Sequence, residues 1–242
     1  MGTDLLEQAK TQGWYHTLEL PGLTTQGIFD MRPYVGAYGL PASLAGKRVL
    51  EVGTWDGFWA FEMERRGAAE VVALDLDDER ELDWPPRRRR PNTSIVRGQG
   101  FRTASELLGS KVQRVVRSIY DAVPDDLGTF DLVLCGSVLI HLRDQLLALE
   151  RIAALTAPGG TFISAEEYAK LTDLLPFPVA RFRGNREDAV VFWEPSRRAW
   201  RHMLAYAGFD RVEEHARFTM RSAHGWKIPH VVHHATQATA TG

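Results

Sequence analysis

Residues 49–57 read Val-Leu-Glu-Val-Gly-Thr-Trp-Asp-Gly, and this stretch decides the fold of the 242-residue chain. A short apolar run at 47–52 ends at Gly53, and apolar side chains recur at helical spacing after Gly57. A strand that enters a helix through a glycine turn is the unit of an open α/β sheet, which binds ligands at the carboxyl ends of its strands. We expect Gly53 to let a ligand approach the backbone, and Gly57 to allow a tight entry into the helix.

Strand and helix patterns alternate along the rest of the chain. Apolar runs predict further strands at 70–76, 112–119, 130–136, 161–165, 210–218 and 230–235. Helical spacing predicts helices at 4–12, at 57–66, from 142 to a stop at 157–160, and from an N-cap at 196 to 208. The last two strands have no helical pattern between them, which indicates a hairpin. The sequence therefore predicts an α/β, Rossmann-like fold: a mostly parallel seven-stranded sheet with an antiparallel edge strand and helices on both faces.

The chain divides into one main domain and shorter flanking segments. Residues 1–46 precede the first strand of the sheet and predict a helical extension that closes over the site as a lid. The main domain covers 47–235, and the proline- and aromatic-rich segment 166–195 predicts a cap insertion. Small polar residues at 236–242 predict a flexible tail.

Composition excludes several classes of protein. Lys and Arg number 29 against 31 Asp and Glu, so the net charge of −2 argues against a strongly basic nucleic-acid binder. The first ten residues carry no signal-peptide core, and no apolar run approaches the ~18 residues of a membrane span. A single cysteine excludes an internal disulfide, and the eight histidines show no metal-ligand spacing. We expect a cytoplasmic protein without a metal.

Two acidic residues constrain the ligand. The turn lacks the G-x-G-x-x-G fingerprint of dinucleotide enzymes, and Glu51 would repel a pyrophosphate placed there. A cationic or zwitterionic ligand suits this carboxylate better. Asp75 ends the next predicted strand, 24 residues later, where a carboxylate can accept both hydroxyl groups of a ribose. The alternative is a generic α/β turn with surface acids.

Four segments resemble class I S-adenosylmethionine-dependent methyltransferases, most of all the branch of the tRNA wobble-uridine (5-methoxyuridine or 5-oxyacetyluridine) methyltransferases. They are 27–32, 49–57, 135–142 and 192–209, and the resemblance extends over about 14–220. It implies that 47–235 form a methyltransferase domain and that S-adenosyl-L-methionine is the cofactor. The sequence departs from the pattern in two places: Trp55 replaces the middle glycine of the turn, and Ile140, not an aromatic residue, precedes His141.

The resemblance places the cofactor along the carboxyl ends of the first four strands of the sheet. Arg32 is the predicted partner of the methionine carboxylate, with a surface arginine as the alternative. Ile119 packs on the adenine or, alternatively, in the core at the end of the third strand. Cys135 is predicted to be buried filler beside the reactive methyl group. The full predicted set is Arg32, Glu51, Gly53, Thr54, Trp55, Gly57, Asp75, Leu76, Ser118, Ile119, Cys135 and Gly136.

The acceptor side of the site depends on less specific signals. A sulfonium methyl group is already activated, so a general base is needed only for a weak nucleophile such as a hydroxyl. His141 and Glu166 are the predicted bases; the alternatives are a structural histidine that caps a helix and a solvated rim carboxylate. Four residues are predicted to contact the acceptor, with core packing as the alternative: Tyr15, His16, Tyr168 and Trp193.

These expectations define three hypotheses about function. The first is methyl transfer to O or N of a small aromatic or heterocyclic acceptor. The second is modification of a tRNA wobble uridine, for which the arginine run 87–90 either contacts phosphates or is simply solvated. The third is a non-catalytic S-adenosylmethionine-binding protein.

Overall fold

The structure, a computed structural model, describes residues 2–84, 96–184 and 191–239. The arginine run 87–90 and the last three residues of the predicted tail lie outside the described residues. No helix in the described ranges is long and apolar enough to cross a membrane.

Thirteen strands lie within these ranges. They are β1 (Trp14–His16), β2 (Glu19–Leu20), β3 (Leu23–Thr24), β4 (Gly27–Phe29), β5 (Arg48–Val52), β6 (Glu70–Asp75), β7 (Gln113–Val116), β8 (Phe130–Gly136), β9 (Thr156–Glu167), β10 (Ala180–Phe182), β11 (Trp193–Pro195), β12 (Arg211–Arg221) and β13 (Lys227–Thr236).

Seven α-helices and five short 3-10 helices connect these strands. The α-helices are α1 (Gly2–Thr11), α2 (Val35–Tyr38), α3 (Phe58–Arg65), α4 (Gln99–Leu108), α5 (Pro124–Leu127), α6 (Gln145–Leu155) and α7 (Arg197–Tyr206) among the described residues. The 3-10 helices are Arg32–Tyr34, Glu79–Glu81, Ile119–Asp121, Leu139–His141 and Thr172–Leu174.

The main sheet has seven strands in the order β12-β13-β9-β8-β5-β6-β7. The five strands from β9 to β7 run parallel, and β13 runs antiparallel to both of its neighbours. The predicted α/β, Rossmann-like fold is therefore confirmed, including the hairpin of the last two strands; β12 forms the edge, and β13 lies second. The strand order changes direction at β5, so the crevice above the ends of β5 and β8 is where such a sheet binds its ligand.

The sheet separates two hydrophobic clusters, because the side chains of its buried strands alternate between its two faces. Val49 and Leu50 are adjacent in β5, yet they belong to different clusters because successive side chains in a strand point to opposite faces. One cluster packs against α3, α4 and the N-terminal segment, and the other packs against α6 and α7. The strand β8 is apolar along most of its length because helices and loops cover both of its faces.

The N-terminal segment packs into the body of the protein. Trp14 and Phe29 lie in the same cluster as Val49 of the sheet. β1 and β4 pair in parallel, and β2 and β3 form a small hairpin between them. The predicted extension therefore buries apolar side chains against the sheet; its action as a lid stays a prediction.

Two local expectations were wrong. The residues 157–160, predicted as a turn after a helix, lie within β9, whose pairing with β8 changes register there, and the preceding helix ends at Leu155. The flexible tail predicted at 236–242 begins too early, because β13 extends to Thr236 and the Gln237 backbone N–H donates to the Gly160 carbonyl at 3.2 Å. The Ala238 amide N–H likewise donates to the Asp210 carboxylate at 2.6 Å.

The N-cap of α7 gives a stability prediction. The Ser196 hydroxyl oxygen accepts hydrogen bonds from the backbone N–H groups of Ala199 and Val179, each at 3.2 Å. Ser196→Ala removes both acceptors at a fully buried position, so we expect the free energy of unfolding to fall by about 1 kcal/mol or somewhat more. Urea denaturation measures this change. The control is Ser43→Ala at an exposed turn, and an equal loss in both variants would contradict the cap's role.

Candidate functional site

The turn after β5 is held from inside the protein. The buried Glu51 carboxylate accepts hydrogen bonds from the Thr54 hydroxyl at 2.6 Å and from the Ala60 backbone N–H, in the first turn of α3, at 2.8 Å. Burial raises the pKa of Glu51 to about 8, so this group is mostly protonated at neutral pH. Its role in the structure is to hold the turn and the start of α3; a direct contact with a ligand cation stays a prediction.

The two glycines of the turn are required for different reasons. Gly57 has a φ of 92° at the N-cap of α3, and a Cβ there would lie 2.4 Å from the Phe61 ring. The predicted tight entry into the helix is therefore seen. Gly53 has a φ of 79°, and a Cβ there would lie 2.2 Å from a methyl carbon of Val138. In this structure the Val138 side chain lies against Gly53, and the approach of a ligand to the backbone of this glycine stays a prediction.

Trp55 occupies the position of the missing middle glycine. Its φ of 48° lies in the left-handed region, which is costly for a large side chain. Its backbone N–H donates to the Asp75 carboxylate at 2.7 Å. Its ring stacks on Tyr15, with centroids 4.4 Å apart, and the Arg97 guanidinium lies 4.1 Å from the ring centroid. These contacts hold the strained conformation.

Asp75, the predicted ribose acceptor, lies at the end of β6 with three protein donors. Besides Trp55, they are the Leu76 backbone N–H at 2.7 Å and the Arg97 guanidinium at 2.6 Å. The Arg97 and Asp75 side chains are both buried, so the ion pair neutralises the carboxylate in a water-poor place. Arg97 was missed by sequence reasoning because a single arginine before α4 carries no recognisable pattern.

Asp56 was also missed, although it lies inside the motif. Its carboxylate accepts hydrogen bonds from the backbone N–H groups of Tyr15 at 2.6 Å and His16 at 2.9 Å. It is 1% exposed, and burial raises its pKa to about 6. This contact brings Tyr15 and His16, two of the predicted acceptor contacts, onto the turn after β5.

The end of β8 is covered by Tyr38. Cys135 is fully buried, as predicted, and burial raises the pKa of its thiol. A Cβ at Gly136 would lie 3.1 Å from the Tyr38 hydroxyl, so Tyr38 packs closely against this glycine, and the approach of the reactive methyl group stays a prediction. Tyr38 lies on α2 and was not identified from the sequence.

Glu166 was predicted as a base at the rim of the site, with a solvated carboxylate as the alternative, and its place at the rim was wrong. It is 1% exposed and lies beneath the turn after β8. One oxygen accepts hydrogen bonds from the backbone N–H groups of Val138 and Leu139, both at 3.2 Å. Burial raises its pKa to about 8, so it is mostly protonated at neutral pH and poorly suited to act as a base. Strand alternation explains the error, since Glu167 is the neighbour that remains partly exposed.

Three predicted cofactor residues have other partners in this structure. The Arg32 guanidinium pairs with Asp30 and Glu19, both at 2.8 Å, so a methionine carboxylate would share the guanidinium with these two acids. Ser118 caps the short helix after β7 by accepting from the Tyr120 N–H. Ile119 is buried in the core cluster, in line with the packing alternative.

The predicted base His141 and the remaining predicted contacts of the methyl acceptor, Tyr168 and Trp193, follow β8 and β9 or lie in the insertion. His141 ends the 3-10 helix Leu139–His141 that follows β8. The Trp193 indole N–H donates to the Arg143 carbonyl at 3.3 Å, two residues beyond His141. Tyr168 follows β9 and lines a cavity of about 190 Å³.

This cavity lies between the end of β9 and the insertion. Glu167 lines it, and burial together with the nearby Glu194 carboxylate raises the pKa of Glu167 to about 7. Glu194 itself is buried and pairs with Arg181 and Arg183, which also line the cavity. The cavity therefore offers a carboxyl group that is partly ionised at neutral pH. In the described ranges, no group of three or more His, Cys, Asp or Glu side chains could hold a metal ion.

Four buried polar atoms at the carboxyl edge of the sheet have no hydrogen-bond partner. They are Oη of Tyr38, Nδ1 of His16, Nε1 of Trp55 and Oε2 of Glu166. Buried polar groups are normally paired, so such a cluster suits a polar ligand that supplies donors and acceptors. An adenosyl amino acid has both kinds of group, and the residues present therefore fit S-adenosyl-L-methionine.

The sequence profile of the methyltransferase-domain family matches residues 31–214. The ubiquinone biosynthesis O-methyltransferase of Vibrio parahaemolyticus is 32% identical over 117 residues, which are 48% of this chain and 42% of that protein. The tRNA U34 carboxymethyltransferase of Desulforapulum autotrophicum is 26% identical over 175 residues, 72% of this chain and 48% of that protein. This chain therefore spans less than half the length of either relative.

Two solved structures share the fold of this chain. The N-terminal domain of EvdMO1, crystallised in the presence of SAH and D-fucose, has a TM-score of 0.69 and 19% identity over 98% of this chain and 97% of that chain. The 1,6-didemethyltoxoflavin-N1-methyltransferase of Burkholderia thailandensis has a TM-score of 0.54 and 18% identity over 86% of this chain and 81% of that chain.

The chain belongs to the methyltransferase-domain family, since the profile covers most of its length. The predicted class, a class I S-adenosylmethionine-dependent methyltransferase, is confirmed, and with it the cofactor of that class.

The buried carboxyl groups predict how stability depends on pH. Glu51 and Glu166 have folded-state pKa values of about 8, above their unfolded values, so the folded state holds more protons and loses stability as pH rises towards 8. The buried histidines His16, His230 and His233 have lowered folded-state pKa values and oppose this trend only weakly, by about 0.4 kcal/mol each, because unfolded histidines lose their remaining protons just above pH 6.5. Between pH 6.5 and 8 we expect a loss of roughly 1 to 2 kcal/mol for each carboxyl group.

Urea denaturation at several pH values measures this loss. Glu166→Gln should remove its share of the slope, whereas Glu213→Gln, at a mostly exposed carboxylate, should leave the slope unchanged. A wild-type stability that is flat or rises between pH 6.5 and 8 would show that both buried groups are ionised in the folded protein.

Proposed function

We propose that this protein transfers a methyl group from S-adenosyl-L-methionine to a hydroxyl oxygen of a small acceptor. The observation that carries the choice of a hydroxyl is the carboxyl group of Glu167, which lines the cavity beside β9 and has a pKa of about 7. The similarity to ubiquinone biosynthesis O-methyltransferases supports O-methylation. The proposed acceptor is aromatic or heterocyclic, as the sequence predicts.

The residues around the turn after β5 are proposed to hold the cofactor, which supplies a methyl group on a positively charged sulfur when bound. Asp75 is proposed to accept the ribose hydroxyls, with Arg97 compensating its charge. The predicted contacts of Arg32, Ser118 and Ile119 with the cofactor remain part of this proposal. Tyr15 and His16, fixed by Asp56, are proposed to exclude water from the site.

The acceptor is proposed to bind between the cavity and the short helix that ends at His141. A hydroxyl is a weak nucleophile, so removal of its proton by a positioned base increases the rate. Glu167 is the favoured base because its pKa of about 7 leaves a substantial ionised fraction at neutral pH. His141 is the second candidate, from its position after β8. The Phe192 backbone N–H donates to the Ile140 carbonyl at 3.0 Å, which joins the insertion to this helix.

A second candidate function is modification of a tRNA wobble uridine. The match to a tRNA U34 carboxymethyltransferase over 72% of this chain favours it. The net charge of −2 gives no broad attraction to RNA.

Methyl transfer from labelled S-adenosyl-L-methionine tests these candidates directly. We expect transfer to members of a panel of small phenols, heterocycles and sugars such as D-fucose, and no transfer to fractionated cellular RNA. Labelling of tRNA alone would replace the first candidate by the second. Binding of S-adenosylhomocysteine in calorimetry, without transfer to either set of acceptors, would favour a non-catalytic protein, and absence of binding would contradict the proposal altogether.

The assignment of the base gives a further prediction. Glu167→Gln should lower kcat/KM by about 10²-fold or more at pH 7, while affinity for S-adenosylhomocysteine changes little, because the base acts only on the acceptor. Wild-type kcat/KM should rise with pH through about 7, where the carboxyl group ionises, and the variant should lose this dependence. The control is Glu213→Gln. If Glu167→Gln keeps full activity and His141→Gln does not, the histidine is the base.

A further inference from the structure

The turn after β8 contains a strained residue. Ser137 has a φ of 57°, in the left-handed region that non-glycine residues adopt at a cost. Its backbone N–H donates to the Ala165 carbonyl of β9 at 2.9 Å. Such a conformation persists only where surrounding contacts determine it.

A buried histidine on β13 contacts this residue. Nδ1 of His230 lies 3.1 Å from the Ile228 carbonyl oxygen, and a carbonyl only accepts, so Nδ1 carries the proton. Nε2 of the neutral ring is then an acceptor, and the Ser137 hydroxyl, 2.8 Å away, donates to it. The ring is fully buried and stacks on Phe218, with centroids 5.2 Å apart. The contact with Ile228 thus fixes the tautomer that the contact with Ser137 needs.

The same turn borders the proposed cofactor site. The Val138 side chain lies over Gly53, so closely that a Cβ on the glycine would be 2.2 Å from it. The backbone N–H groups of Val138 and Leu139 donate to Glu166. A change at Ser137 therefore moves the residues that cover the glycine turn and begin the helix that ends at His141.

We propose that His230 is a positioning residue for the cofactor site. In its Nδ1–H tautomer it accepts the hydrogen bond of Ser137 and holds the turn 137–139 against the glycine turn at Gly53. The proposal rests on the proposed function in one respect, that this edge of the sheet binds the cofactor.

Two substitutions at 230 separate the two hydrogen bonds. The amide of glutamine reaches the place of Nε2 and can still accept from Ser137, whereas the amide of asparagine reaches only the place of Nδ1. We expect His230→Asn to weaken the affinity for S-adenosylhomocysteine by about 3- to 10-fold, the effect of one lost hydrogen bond, and His230→Gln to restore most of it. His233→Asn is the matched control, since His233 is a buried histidine on the same strand that faces Arg197 and Arg201.

Ser137 supplies a test from the other side of the contact. Ser137→Ala should weaken the same affinity as much as His230→Asn does, and the double variant should be no weaker than either single variant. Nitrogen-15 spectra of the imidazole should show the Nδ1–H tautomer in the wild type. They should show a shift confined to Nε2 of His230 in Ser137→Ala, a signature that general destabilisation would not produce.

Calorimetry with S-adenosylhomocysteine and the nitrogen spectra decide the proposal together. It is overturned if the single variants bind as tightly as the wild type, if their effects add, or if the wild-type ring carries its proton on Nε2. A wild type that does not bind S-adenosylhomocysteine would instead overturn the proposed function, and with it the role of this turn in the cofactor site; the spectra would still report the tautomer.

Discussion

The carboxylate of Asp56 accepts two backbone hydrogen bonds from β1, and this buried contact joins the glycine turn to the segment that covers it. The turn alone would leave its backbone open to water above the sheet. With Asp56 in place, Tyr15 stacks on Trp55, and Trp55 can hold a backbone conformation that a glycine would adopt at little cost. Its N–H then reaches Asp75 on the neighbouring strand. One carboxylate thereby links the N-terminal segment, β5 and β6.

The carboxyl edge of the sheet is built almost entirely from buried polar contacts. Glu51 holds the turn after β5, and Glu166 holds the turn after β8. Both are mostly protonated at neutral pH, because their burial outweighs the hydrogen bonds that favour ionisation. Val138 connects the two turns by packing on Gly53. The geometry of each turn therefore depends on the other. Buried polar atoms without a hydrogen-bond partner lower the stability of the folded protein, and this edge of the sheet holds several of them.

The proposed cofactor side and the proposed acceptor side differ in how they are built. The proposed cofactor side consists of strand ends and of residues with little freedom to move, such as Asp75 with its three donors. The proposed acceptor side includes β10, β11 and the loop that follows β9, where Glu167 lines a cavity beside the buried Glu194 and its ion pairs. Variation in such an insertion can change the acceptor without disturbing the sheet.

The sequence by itself determined the mostly parallel seven-stranded sheet, because burial on both faces of a parallel strand imposes a continuous apolar run. It also placed the two acids, Glu51 and Asp75, on β5 and at the end of β6. β8 was predicted with the bounds that the structure has. Only the tertiary structure decided which residues are partners: Asp56 with β1, Arg97 with Asp75, and His230 with Ser137. The partners in these contacts are 22 to 93 residues apart along the chain. The burial of Glu166 and the partial exposure of Glu167 were also decided there. A hydrogen bond between distant segments depends on orientation and distance, and neither leaves a periodic trace in the sequence.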